Sequence, residues 1–155
     1  MEQQTPIQLL YVDDEENNLT AFRASFRRDF KIFTAISAVE ALKILSETEI
    51  HVLITDQRMP GTLGTELLAQ AVEQYPDQMR ILLTGFSDID ALKDAINSGQ
   101  IYQYLQKPWN YEDLKLTIEK AYKIFQLKKE KKELTDKLLI TNEQLEFMLR
   151  QKILS

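Results

Sequence analysis

Short apolar runs and amphipathic stretches alternate along most of the chain. Ile7-Gln8-Leu9-Leu10-Tyr11-Val12 is compact, rich in β-formers, and stops at Asp13-Asp14. Phe30 to Ile36 is a second such run. His51-Val52-Leu53-Ile54-Thr55 stops at Asp56, and Arg80-Ile81-Leu82-Leu83-Thr84 stops at Gly85. Ile101 to Leu105 ends just before Lys107-Pro108. Runs apolar on both faces read as parallel strands covered by helices.

The stretches between them have helical length and period. Asn17–Arg28 places Leu19, Phe22 and Phe26 on one side. Ala38–Ser46 carries Ala41, Leu42 and Leu45, and Leu63–Tyr75 carries Leu67, Leu68, Ala71 and Val72. Ser87-Asp88 can cap a helix through Ile96 that stops near Gly99. Five strands in strict alternation with five helices predict an α/β fold, a doubly wound parallel sheet.

The last helix starts near Asn110, a good cap, and nothing in the sequence stops it. All four Gly and all four Pro lie at or before position 108. A helix of ~40 residues would run ~60 Å at 1.5 Å per residue, more than one small domain can cover. Leu114, Ile118, Ala121 and Phe125 form one stripe, expected to pack on the sheet. Ile124, Leu127, Lys131, Leu134, Leu138, Thr141, Leu145, Met148 and Lys152 follow 3-4 heptad spacing, offset from it. Six of those nine are apolar, so the second stripe reads as an imperfect coiled-coil seam. Two parts result: a domain at 1–125, and at 126–155 a helical extension that pairs as a dimeric coiled coil or links to an output domain. The apolar pattern is still running at Ile153-Leu154-Ser155, which suggests a longer natural protein.

Composition narrows the function. A length of 155 residues suits one domain with some extra length. Hydrophobic residues at 44% and charged residues at 28% fit a globular chain and argue against disorder. Without cysteine there is no thiolate metal site or thiol nucleophile, and a single histidine, His51, excludes multi-histidine sites. The N-terminus lacks a secretory pattern, and no run of ~18 apolar residues exists to span a bilayer, so a cytoplasmic protein without membrane contact is expected. Residues 1–125 hold 12 Lys/Arg against 19 Asp/Glu, a balance of −7; residues 126–155 hold 7 against 5, or +2. Neither part has a DNA-binding footprint.

Parallel α/β sheets gather working residues at the carboxyl ends of their strands. Here those ends carry Asp13-Asp14, Asp56, Thr84 and Lys107. Three converging carboxylates are costly to ionise together, and a hard cation such as Mg²⁺ relieves the repulsion through oxygen ligands. Lys107 and Thr84 add donors for an incoming dianion. The set suits phosphoryl transfer to a carboxylate. Asp56, alone on the central strand, is the best nucleophile, and Asp13 and Asp14 are the better metal holders.

The arrangement resembles the receiver domain of two-component response regulators. The acidic pair is Leu10-Tyr11-Val12-Asp13-Asp14-Glu15, and the phosphoacceptor motif is Ile54-Thr55-Asp56-Gln57-Arg58-Met59-Pro60-Gly61. Leu82-Leu83-Thr84-Gly85 matches the switch threonine, and Tyr104-Leu105-Gln106-Lys107-Pro108 the switch aromatic and lysine. The likeness spans about residues 7–125. It implies a flavodoxin- or CheY-like (βα)5 fold with strand order 2-1-3-4-5 and a cis Lys-Pro bond. It also implies that Asp56 takes phosphate from a sensor histidine kinase or phosphotransfer protein, as a signalling switch and not a turnover enzyme. Mg²⁺ would be held by Asp14, Asp56 and the backbone carbonyl of Arg58, with Asp13 acting through water. Thr84 and Lys107 would contact the phosphoryl group, and Tyr104 would swing inward as Thr84 moves. Arg58 and Phe86 occupy positions that tune dephosphorylation. The motifs around Asp56, Thr84 and Lys107-Pro108-Trp109 further resemble receivers attached to HD-GYP phosphodiesterases, cyclases or kinases.

Other readings are weaker. Asp13-Asp14 could merely cap a helix. A haloacid-dehalogenase-type phosphatase needs an aspartate where Arg58 stands. A nucleotide or flavin binder would need a glycine-rich phosphate loop, and none is present. A phosphorylation-independent coiled-coil scaffold would leave the acidic site unused. His51 and Trp109 read as structural, and Lys128–Glu133 as a solvated helix face.

Overall fold

The computed structural model describes residues 5–85, 89–97 and 100–154. The expected Ser87-Asp88 cap, the helix stop near Gly99 and the position of Phe86 lie outside these residues. In chain order the elements are β1 (Gln8–Val12), α1 (Glu16–Phe26), β2 (Lys31–Ala35), α2 (Ala38–Glu47) and β3 (Val52–Asp56). They continue with α3 (Gly64–Gln74), β4 (Met79–Thr84), α4 (Ile89–Asn97), β5 (Gln103–Gln106) and α5 (Tyr111–Leu154). All strand pairs are parallel, in the order β2-β1-β3-β4-β5. The expected doubly wound α/β sheet is what the chain forms.

Alternation along the strands splits the core into two layers. Leu10, Val12, Leu53 and Leu82 face one side, with Ala41, Leu45, Leu67, Leu68 and Leu92. Leu9, Tyr11, Ile54, Ile81 and Leu83 face the other, with Phe22, Phe26, Leu114, Ile118, Ala121 and Phe125. The expected helix stripes are buried, including the first stripe of α5, except that Leu42 and Val72 are only partly covered.

Register determines where the chemistry falls. Val12 pairs with Thr55, Asp56 with Leu83, and Thr84 with Gln106. The carboxyl ends of β1, β3, β4 and β5 therefore finish level. Beyond the regular pairs, Asp13 N–H donates to Ala35 O, Gln57 N–H to Leu83 O and Lys107 N–H to Thr84 O. The residues just past each strand end are pinned in the same plane.

Strand β5 begins at Gln103, two residues later than the apolar run suggests. Ile101 is buried in the core, and Tyr102 N–H reaches Arg80 O, but the ladder proper holds Gln103 and Gln106. An edge strand with one wet side needs no continuous apolar run. Asn110 caps α5 as expected, its Oδ1 accepting Asp113 N–H at 3.1 Å. Near its start α5 is tied to the α1–β2 turn: Tyr111 donates to Asp29 at 2.6 Å, and Lys115 pairs with Asp29 at 3.4 Å. The 44 residues of α5 give a rod of about 66 Å. From Lys129 onward every described residue of α5 is exposed. No helix among the described residues is long and apolar enough to cross a membrane.

Candidate functional site: an acidic pocket at the strand ends

The pocket is built from Asp13 and Asp14 after β1, Asp56 ending β3, Thr84 ending β4 and Lys107 after β5. Carboxylate oxygens of Asp13, Asp14 and Asp56 lie within 4.8 Å of one another. Asp13 is fully buried, Asp56 half-buried and Asp14 exposed. The sequence set is therefore brought together, graded from the interior to solvent.

Lys107 brings a positive charge against two of these carboxylates. Its Nζ lies 3.0 Å from Asp56 Oδ1 and 3.5 Å from Asp13 Oδ2. Burial pushes the Asp56 carboxyl above its ordinary range, and Asp13 adds to this, while Lys107 pulls the other way. Burial would lower the Lys107 ammonium, but Asp56 and Asp13 more than reverse that, so it is held above its ordinary value. The site thus carries excess negative charge that one lysine offsets only in part.

Asp13 accepts from four directions. Tyr11 OH donates to Oδ2 at 2.7 Å, Asn18 Nδ2 to Oδ2 at 3.1 Å, and Glu15 N–H to Oδ1 at 3.0 Å, in addition to Lys107. The Glu15 bond is the turn in which an Asp side chain takes an N–H two residues on. Asp13 and Asp14 do not cap α1: the cap position is Glu15, without a side-chain cap, and Asp13 instead holds the turn that leads into the helix. Tyr11 and Asn18 are site residues that sequence reasoning missed. The Tyr11 signal was present: positions 11 and 13 of a strand share a face.

The loop after β3 is held closely. Gln57 Nε2 donates to Thr65 Oγ1 at 3.3 Å, and Thr65 N–H returns to Gln57 Oε1 at 2.9 Å. Gly64 N–H donates to Gln57 O at 2.8 Å, so α3 starts hard against the end of β3. A Cβ on Gly64 would collide with the carbonyl oxygen of Asp56 and lie 2.9 Å from Leu82 Cδ1. Met59 folds back into the core, Arg58 is exposed, and Gly61 adopts φ 83°, a conformation suited to glycine.

Thr84 is fully buried, its hydroxyl donating to Gly85 O at 3.3 Å. Tyr104, opposite Leu82 in the β4–β5 ladder, is half-buried against the core layer that holds Leu92 and Ala95 of α4. The Lys107–Pro108 bond is cis. Trp109 packs edge-on to Phe22 and against Phe26, the structural place expected of it. His51 sits at the opposite end of the sheet, buried against the rings of Tyr122 and Phe125.

Oxygen donors alone, three of them anionic and mutually repelling, fit a hard divalent cation such as Mg²⁺. A parallel five-stranded sheet in this order, with an acidic cluster, a hydroxyl and a lysine level at its carboxyl edge, defines a receiver-type module. The chain belongs to the response regulator receiver domain family, which it matches over residues 9–119. It is 34% identical over 122 residues to the hydrogenase transcriptional regulatory protein HoxA of Bradyrhizobium diazoefficiens. That match covers 79% of this chain and 25% of HoxA, so the chain spans about a quarter of its relative's length. Among solved structures, an adenylate cyclase structure from Rhodopirellula baltica superposes with a TM-score of 0.83 at 32% identity, covering 86% of this chain and 99% of that one. The response regulator TrrA of Thermotoga maritima, solved with Mg²⁺ and BeF, gives a TM-score of 0.66 at 28% identity, covering 74% and 98%.

Proposed function

We propose that this receiver accepts a phosphoryl group on Asp56 from a phosphohistidine of a sensor kinase or phosphotransfer protein. The observation that carries this reading is the convergence of Asp13, Asp14 and Asp56 with Lys107 Nζ placed 3.0 Å from Asp56 Oδ1. Asp14, Asp56 and the Arg58 carbonyl would hold Mg²⁺ directly, with Asp13 acting through water. When bound, the cation supplies positive charge that lets a dianion approach three carboxylates.

In the transfer a carboxylate oxygen of Asp56 bonds to phosphorus as the phosphorus–nitrogen bond to the donor histidine breaks. The electron pair of that bond leaves with the imidazole. Lys107 turns from the carboxylates toward one phosphoryl oxygen, and Thr84 offers its hydroxyl to another. Movement of Thr84 opens space beside β4 that Tyr104 fills from β5. That rearrangement changes the α4–β5–α5 surface. The chain acts as a switch, catalysing only its own phosphorylation and dephosphorylation. Its exposed α5 seam would pair with a second copy and carry the change onward.

Beryllofluoride with Mg²⁺ tests the reading. Wild-type protein should bind it, with chemical shift changes at Thr84, Tyr104 and Lys107. Asp56→Asn should not bind. Equal binding by Asp56→Asn would end the proposal.

A further inference from the structure

Tyr11 is the penultimate residue of β1, with its ring in the core and its hydroxyl in the acidic pocket. Residues 11 and 13 share a face about 7 Å apart along the strand, a span that a phenol ring can bridge. The ring is 1% exposed and stacks on Phe22, centroids 4.2 Å apart and planes 14° apart. Phe22 in turn meets Phe26 at 4.8 Å and Trp109 at 5.9 Å. Stacking on Phe22 therefore holds one face of the ring, and its hydroxyl donates to Asp13 Oδ2 at 2.7 Å.

A carboxylate offers about four lone-pair sites. Those of Asp13 receive Tyr11, Asn18, Glu15 N–H and, at a longer 3.5 Å, Lys107. The Lys107 contact to Asp13 is already the longest of the four and lengthens further as its ammonium turns toward a phosphoryl oxygen. Once it turns away, the orientation of Asp13 depends on the three remaining donors. Tyr11 makes the shortest of those bonds, from a ring that is buried and stacked.

We propose that Tyr11 is a positioning residue of the cation site: its hydroxyl fixes the Asp13 carboxylate toward Asp14 and Asp56 and so sets divalent-cation affinity. A purely core tyrosine would bury its ring equally well without a bond to the metal-binding acid. A leucine or valine at position 11 would fill the layer but leave a fully buried carboxylate short of a donor. The inference rests on reading the acidic cluster as a Mg²⁺ site.

The test is calorimetric titration of Mg²⁺ into wild type and Tyr11→Phe, which keeps the ring and its stacking. Loss of an orienting partner should raise the Mg²⁺ Kd about 10-fold. In an Asp13→Ala background the same substitution should have no effect on Kd, because Tyr11 acts through Asp13. A Tyr11→Phe Kd within about twofold of wild type, or an effect that persists without Asp13, overturns the inference. Should Tyr11→Phe not fold, the Tyr11 ¹³Cζ resonance of wild type replaces it. A shift on adding Mg²⁺ supports coupling between phenol and cation, and an unmoved resonance refutes it. Failure of wild type to bind Mg²⁺ would instead remove the underlying reading of the site.

Discussion

Lys107 Nζ lies 3.0 Å from Asp56 Oδ1, so the residue after β5 acts as counterion to the residue that ends β3. It also approaches Asp13, giving one cation to two carboxylates. In the absence of a metal, Lys107 holds part of the charge that a divalent cation would otherwise screen. A lysine and a metal therefore compete for Asp56.

That competition predicts opposite effects of Lys107→Met on two ligands. Metal-free stability should fall by about 1–2 kcal/mol, less than for a fully buried pair because the lysine side chain is 30% exposed. Mg²⁺ should bind more tightly, since Asp56 loses the ammonium that competes for it. Beryllofluoride should bind at least about 100-fold more weakly, for want of a donor to its fluorides. Urea unfolding with and without Mg²⁺, alongside titration of each ligand, would check all three. Weaker Mg²⁺ binding in the variant would contradict the competition.

Gly64 gives a second prediction. Its missing Cβ leaves room for the carbonyl oxygen of Asp56, a backbone atom that cannot swing aside. Gly64→Ala should lower stability by about 1–3 kcal/mol, the usual cost of overpacking. It should also weaken beryllofluoride binding, because relief of the clash moves the Asp56 backbone. A urea midpoint equal to that of wild type would show that the loop absorbs the methyl group.

His51 predicts the pH response of the opposite end of the sheet. Its Nδ1 accepts Gln8 N–H at 3.0 Å and so must be unprotonated there. Burial lowers its pKa below 6.5; Glu49, 3.4 Å from Nε2, opposes this, and Lys129 adds to it. With the folded pKa below the unfolded one, the unfolded state binds the proton more readily. Stability is then complete above about pH 6.5 and is lost as pH falls toward the folded pKa. The variant His51→Gln, which keeps an acceptor but does not titrate, should show a flatter stability profile between about pH 7 and pH 5. Identical slopes for the two proteins would exclude His51 as the group responsible.

Much of this was legible in the sequence because the strand runs stop abruptly at polar residues. Val12 gives way to Asp13, Thr55 to Asp56 and Leu105-Gln106 to Lys107, and parallel pairing brings such stops to one edge. The α5 stripe of Leu114, Ile118, Ala121 and Phe125 was equally clear from its period. Less visible were features that depend on distance across the fold. The i, i+2 relation of Tyr11 and Asp13 is a statement about faces and does not reveal a 2.7 Å bond. The Gln57–Thr65 clamp spans eight residues of loop with no periodicity to mark it. The start of β5 was misplaced because Ile101 is buried without belonging to the ladder.

The final prediction concerns the exposed part of α5. Leu134, Leu138 and Leu145 on the heptad seam are 60%, 62% and 52% exposed, a costly display of apolar surface for a helix standing alone. If the seam pairs with a second copy, Leu138→Lys should place two ammonium groups in one layer and raise the dimer Kd about 100-fold or more. Phe147, 61% exposed, is the discriminating control. It lies nine residues on, about 180° around the helix from Leu138, at 3.6 residues per turn. Phe147→Lys should leave a two-stranded dimer intact. Sedimentation equilibrium on wild type and both variants separates the cases. A monomeric wild type would exclude the paired seam, and dissociation by Phe147→Lys alone would move the contact to the opposite face.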